Sequence, residues 1–174
     1  MLGCMGLFKR ANPKDQPQAT EVTARLLQVV ERHLPGADRT TVRIVAALAG
    51  LLAAVGYADR NFSEPELRQV RKTLARIEGL GRDGEEAIIQ VMHGWAAEAS
   101  EIYMHHFARE LHALTDRETR LEVLDMLLDL AAADGTITFA ETTYLRQVTA
   151  SLGLSLPDYN ASQQRHRDKL SVLR

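Results

Sequence analysis

Two short segments of the chain carry an aspartate and a glutamate at the same spacing, and carboxylates are side chains that can hold divalent cations. The first segment contains Asp59 and Glu66, and the second contains Asp134 and Glu141. Aligned with a shift of 75 residues, both segments read D-x-x-Φ-[S/T]-x-x-E, where Φ is apolar. Oxygen ligands of this kind suit hard cations such as Ca²⁺ and Mg²⁺. We call these two segments the acidic motifs.

The acidic motifs also have a purely structural interpretation. Ser63 and Thr138 stand three residues before the two glutamates, which is the spacing of a capping box at the start of a helix. Phe62, directly before the first cap, is placed to pack onto the first turns of that helix. The segment 115–118 has the same capping spacing with no aspartate before it, so the box alone is not evidence for cation binding.

Capping leaves the two aspartates unexplained. Asp134 precedes Gly135, which predicts a turn with the glycine in a left-handed conformation. Asp59 precedes Arg60, so the two motifs do not require the same turn. Segment 134–141 matches the second part of an EF-hand loop, but the earlier ligand positions fall on apolar residues, so it is not a working EF-hand.

A shared cation site becomes possible if the two motifs meet across a pseudo-twofold axis. Four carboxylates would then hold one Ca²⁺ or Mg²⁺, with water completing the coordination shell. The predicted metal ligands are Asp59, Glu66, Asp134 and Glu141.

The elements that must position these residues are all helical. Apolar residues recur with helical spacing, and no segment sustains the alternation of a strand. We predict an all-α fold, a single bundle of seven to eight helices with an internal pseudo-twofold repeat. The predicted helices cover residues 20–34, 40–58, 63–78, 85–99, 100–113, 115–133, 138–152 and, less regularly, 157–173. The second is apolar almost all round and belongs at the centre, and residues 79–84 form a linker.

Three regions follow from this reading. Residues 1–19 form a flexible N-terminal tail, residues 20–156 the helical bundle, and residues 157–174 a C-terminal basic helix or tail that could dock a partner.

The composition excludes several classes of protein. Lys and Arg total 21 against 23 Asp and Glu, a net charge of -2, which argues against a nucleic-acid-binding protein. The single cysteine allows no internal disulfide and no multi-cysteine zinc site. The longest uncharged apolar run, 44–58, is shorter than a bilayer span requires, so we expect no transmembrane segment and a cytoplasmic location.

The sequence resembles the TerB-like family, named after a tellurite-resistance protein and similar to a helical domain of some DnaJ-like co-chaperones. The resemblance rests on Ala-Asp at 58–59 and 133–134, each after an Ala-rich helix and before an amphipathic one, and covers about residues 40–156. It implies a helical bundle with internal pseudo-symmetry, a divalent cation on the paired acidic residues, and a role in tellurite and other stress responses. Arg60 departs from the family pattern, where a glycine commonly follows the aspartate, and would weaken the first site.

Two other interpretations bear on function. No nucleophile, phosphate-binding or dinucleotide motif is present, so we expect no enzyme activity. The histidines between residues 93 and 112 are interpreted as parts of solvated helix faces, with ion pairs such as His106 with Glu110. The alternative to a cation-binding protein is a metal-free protein–protein interaction module, in which the acidic motifs only cap helices.

Overall fold

The computed structural model describes residues 16–58, 62–95 and 101–170, and within them the chain forms eight α-helices and no β-strand. The helices are α1 Gln16–His33, α2 Arg39–Gly56, α3 Glu64–Leu74, α4 Gly81–Trp95, α5 Glu101–Leu114, α6 Arg117–Ala131, α7 Phe139–Ser151 and α8 Leu156–Gln163. A 3₁₀ helix, Gln164–Lys169, follows α8. The predicted all-α bundle of seven to eight helices is confirmed.

Helix α2 is the centre of the bundle. It packs against α1, α4, α5, α6 and α7, and its residues from 45 to 56 are all buried. By length and composition α2 could cross a bilayer, but 72% of it is buried inside the bundle, as expected of a core helix. Its apolar character is therefore explained by helices on all sides.

The helix ends follow local capping chemistry, with two differences from the prediction. Helix α4 begins at Gly81, inside the predicted linker, after Gly79 at φ +83°. Helix α6 is capped by Asp116, whose Oδ1 accepts from the Thr119 amide at 2.8 Å, and not by Thr115. The Thr115 hydroxyl donates back to the Leu111 carbonyl at 2.6 Å, because it still belongs to the end of α5.

The internal repeat extends over three helices on each side. Helices α2 and α6 end 75 residues apart, α3 and α7 begin 75 residues apart, and so do α4 and α8. The packing is reciprocal, since α2 contacts α6 while α3 packs on α6 and α7 on α2. This exchange of partners agrees with the predicted pseudo-twofold arrangement and carries one acidic motif in each half.

The ends of the bundle differ from the predicted boundaries. Helix α1 already begins at Gln16, four residues earlier than the predicted first helix. The predicted last helix, 157–173, is shorter than expected, because α8 ends at Gln163 and the chain continues as a 3₁₀ helix with a kink at His166.

Candidate functional site

The first acidic motif joins α2 to α3 and ends in a complete capping box. The Glu66 amide donates to the Ser63 hydroxyl at 3.4 Å, and the Ser63 amide donates to Glu66 Oε2 at 2.7 Å. These two bonds satisfy backbone N–H groups that the start of α3 would otherwise leave without partners. The predicted ligand Asp59 lies outside the described residues.

The second acidic motif joins α6 to α7 with the same construction. Glu141 Oε2 accepts from both the amide and the hydroxyl of Thr138 at 2.7 Å, and the Glu141 amide donates to the same hydroxyl at 3.2 Å. Asp134 is exposed, and its Oδ1 accepts from the Thr136 amide at 2.9 Å. Gly135 has φ +96°, so the predicted left-handed turn is confirmed.

Burial distinguishes the two motif glutamates from the other acids. Glu66 is 5% exposed and Glu141 is 4% exposed, and they are the only buried charged side chains among the residues that the structure describes. Burial of a carboxylate is costly unless hydrogen bonds or an opposite charge compensate for it. In both halves the capping bonds compensate for part of this cost, at equivalent positions.

A third capping box provides a comparison. At the start of α8 the Ser155 amide donates to Asp158 Oδ2 at 2.9 Å, and the Asp158 amide donates to the Ser155 hydroxyl at 3.3 Å. This acid is partly exposed and forms an ion pair of 2.6 Å with Arg117. The cap amide's hydrogen bond, with the Arg117 charge as a smaller cause, holds the pKa of Asp158 below its ordinary value. Capping alone therefore does not require burial of the acid.

An aromatic cluster lies beside the first motif. The Tyr57 ring is 4.9 Å from the Phe62 ring between centroids, and Phe62 is 5.7 Å from the His93 ring of α4. The Tyr57 hydroxyl lies 2.9 Å from His93 Nδ1, within hydrogen-bonding distance. Burial raises the pKa of Tyr57, and the negative charge of Glu66 raises it further. The pKa of Tyr57 therefore depends on the charge of Glu66, a predicted ligand.

The 3₁₀ helix after α8 lies beside the second motif. We name residues 164–170 the strap. The Lys169 ammonium donates to the Ala132 carbonyl at 3.1 Å, and the Ile137 amide donates to the Lys169 carbonyl at 2.7 Å. Ile137 also pairs with Leu170 in an isolated parallel β-bridge. The strap therefore contacts the loop of the second motif on both sides of Asp134.

The structure does not bring the described predicted ligands together into one cluster. Among residues 16–58, 62–95 and 101–170, no three His, Cys, Asp or Glu side chains form a group that could hold a metal ion. Glu66, Asp134 and Glu141 are therefore not a shared set of ligands, and each half presents its own motif.

The described histidines of α5 are not simply on solvated faces. Glu110 pairs with Arg43 of α2 at 2.6 Å, whereas the sequence predicted His106 as its partner. The His105 ring lies 2.7 Å from the Ser151 hydroxyl, and His112 Nδ1 donates to the Leu152 carbonyl at 3.0 Å. These contacts fix the end of α7 against α5.

Comparison with known protein families identifies the family to which the chain belongs. A family model described as "Tellurite resistance protein TerB" matches residues 45–164, which is more than half of the sequence and includes both acidic motifs. The chain belongs to the TerB family. No curated protein and no solved structure shows a significant match to it. The TerB match begins within α2 and ends where the strap begins.

Three features of this TerB-family chain were not predicted from the sequence. They are the Tyr57–His93 contact, the capping box of α8 and the strap contacts of Lys169. The 75-residue repeat could have placed α8, because its start is equivalent to the start of α4. The box of α8 has Asp in the place of Glu, and the strap has no helical periodicity.

Proposed function

We propose that this TerB-family protein binds a divalent cation, Ca²⁺ or Mg²⁺, at the acidic motif of each half, and serves in a stress response of the tellurite-resistance type. The proposal includes a cytoplasmic location and no catalytic activity. The observation that carries it is the burial of Glu66 and Glu141, the only buried charged side chains in the described part of the chain.

A bound cation would stabilise the buried carboxylates of Glu66 and Glu141 further. The capping bonds stabilise each buried carboxylate, and an adjacent divalent cation would favour the charged form further. A carboxylate has about four lone-pair positions, so a capping role and a coordinating role are compatible in one side chain. The aspartate of each motif, backbone carbonyls and water would supply the other oxygens.

The proposal is one cation for each half, because no three of the described acidic side chains form one group. The ligands are Asp59 with Glu66 and Asp134 with Glu141. A site with so few protein ligands should be weak, with a Kd of about 10⁻⁴–10⁻³ M. Binding would stabilise the folded protein by RT ln(1 + c/Kd), which rises with the free cation concentration c.

Amide NMR spectra recorded during titration with Ca²⁺ and then Mg²⁺ test this proposal. We expect saturable shifts around Ser63 and Thr138, with Asp59→Asn abolishing the first set and Asp134→Asn the second. Asp158→Asn is the matched control, since it alters a capping box whose acid is only partly buried. Loss of both sets in either variant would indicate one shared site, and no saturable shift in the wild type would contradict cation binding.

The second candidate is the metal-free interaction module. The observation that favours it is that Phe139, the first residue of α7, is 72% exposed within the second motif, and Leu156 is 58% exposed at the start of α8. Large apolar side chains left in water at helix starts are candidates for contact with a partner protein. Phe139→Ser should then abolish partner binding while leaving the cation titration unchanged, and an unaffected partner interaction would exclude this surface.

A further inference from the structure

The strap is held to the bundle by ion pairs, by its hydrogen bonds to Ala132 and Ile137, and by the packing of Leu170 against the core. Arg165 forms an ion pair of 2.5 Å with Asp125, and His166 Nε2 lies 3.0 Å from Asp129 Oδ1, an ion-pair distance without hydrogen-bond geometry. No residue of the 3₁₀ helix is buried. The Arg165–Asp125 pair is exposed, and such pairs stabilise weakly and are screened by salt, whereas the His166 side chain is only 13% exposed. A segment whose 3₁₀ helix contains no buried residue can open locally without unfolding the bundle.

The end of the strap places a positive charge at the second acidic motif. The Lys169 ammonium donates to Ala132, which is the C-terminal cap residue of α6. Carbonyl groups at a helix C-terminus carry partial negative charge and favour cations. Asp134 follows two residues later, and the Ile137 amide on its other side is bonded to the Lys169 backbone. The Lys169 ammonium and a divalent cation would therefore bind oxygen atoms of the same short loop.

We propose that Lys169 is a tethered cation that competes with a divalent cation for the second acidic motif, so that cation binding releases the strap. This inference rests on the proposed function, and it adds a regulatory contact within the chain. The competition is electrostatic, because a bound divalent cation repels the ammonium and draws the loop oxygens away from it. Release of Lys169 also breaks the backbone bond to Ile137.

In the described part of the first half, the position equivalent to Lys169 carries no ammonium. The residue 75 positions before Lys169 is Gly94, which has no side chain, and α4 remains helical through this region. The equivalent contact there is made by His93 to the Tyr57 hydroxyl, with no ammonium on the backbone carbonyl. Among the described residues the strap contacts the loop of the second motif, so we expect the two halves to respond differently to a cation.

A lysine variant and a hydrogen-exchange reporter test the competition. Lys169→Met keeps the length of the side chain and removes its charge, and Lys72→Met removes the same charge from an exposed lysine of α3. By NMR titration we expect Lys169→Met to bind Ca²⁺ about fivefold more tightly at the second motif, the size of a modest exposed charge interaction. Lys72→Met should stay within about twofold of the wild type, because its charge is exposed and screened.

The exchange rate of the Ile137 amide reports the position of the strap. In the wild type we expect saturating Ca²⁺ to accelerate this exchange, because the bond to the Lys169 carbonyl is lost. Amides in the middle of α2 serve as the internal control and should not change. Slower exchange of Ile137 with Ca²⁺ would overturn the inference, since the cation and the strap would then cooperate.

The outcomes separate this inference from the proposed function. Equal Ca²⁺ affinity in the wild type and Lys169→Met would overturn the competition and leave cation binding intact. Binding by Lys169→Met alone would support the competition and contradict cation binding by the wild-type second half. Absence of binding by both would overturn both proposals.

Discussion

The packing of α2 on α5 predicts opposite effects for the same substitution at two helical glycines. A Cβ built on Gly50 would lie 2.6 Å from Phe107 Cζ and closer still to two other atoms of that ring. Phe107 is only 1% exposed, so its ring cannot move into solvent. A Cβ on Gly94 of α4 meets no atom within 4 Å. Gly50 is therefore required for close approach, and Gly94 is not.

The magnitude follows from two opposing terms. Replacing a helical glycine by alanine stabilises by about 0.5–1 kcal/mol through helix propensity. An additional methyl group in a packed core costs about 1–3 kcal/mol, because side chains and backbone must shift. We expect Gly50→Ala to lower the free energy of unfolding by about 1–2 kcal/mol. Gly94→Ala should raise it by about 0.5 kcal/mol, since only the propensity term acts near the end of α4.

Urea unfolding followed by circular dichroism measures both variants against the wild type. Gly50→Ala should lower the midpoint without changing the slope, and thermal unfolding should shift by about 2–4 °C for each kcal/mol. A Gly50→Ala variant at least as stable as Gly94→Ala would refute the reasoning, because α2 and α5 would then not approach each other closely at Phe107.

Two further predictions concern ionisable groups. Glu66→Gln keeps the capping geometry and removes the charge, so the pKa of Tyr57 should fall toward its ordinary value of 10.0 in an ultraviolet titration. An unchanged pKa would show that burial alone raises the pKa of Tyr57. Glu141→Gln is the control. The pKa of Asp38 lies below 3.8, because its carboxylate accepts hydrogen bonds from the Thr41 amide, the Thr41 hydroxyl and the Thr40 amide. The ionised form of Asp38 therefore stabilises the folded protein above pH 3.8, and this stabilisation is lost as the pH falls through the lowered pKa. Asp38→Asn should therefore lose less stability than the wild type between about pH 5 and pH 2, and an equal loss would contradict this.

Local rules predicted the helix starts well, because a cap requires only residues close in sequence. Ser63 and Thr138 were identified as caps from a hydroxyl and a glutamate three residues apart, and both boxes form. The same spacing failed at Thr115, where Asp116 is the stronger cap and directly precedes the helix. Choosing between two adjacent cap residues depends on where the previous helix ends.

Contacts between helices that are distant in sequence could not be predicted from local sequence patterns. Glu110 pairs with Arg43, 67 residues away, because α2 packs on α5, and this partner is invisible to i, i+4 spacing. The strap contact of Lys169 likewise depends on how α8 returns to the end of α6. For the candidate site, the sequence identified the glutamates and the left-handed Gly135 but did not indicate that the glutamates are buried.

The acids of the three capping boxes differ in burial, and this difference bears on the two interpretations of the acidic motifs, helix capping and cation binding. Asp158 caps a helix, remains partly exposed and has Arg117 as its positive partner. Glu66 and Glu141 cap helices in the same way but are buried. In the second half the strap brings the Lys169 ammonium to the Ala132 carbonyl, where the loop from α6 to α7 begins, whereas the first half has Gly94 at the equivalent position. If cations bind, the first half should therefore fill without moving the strap, and release of the strap should require occupation of the second half.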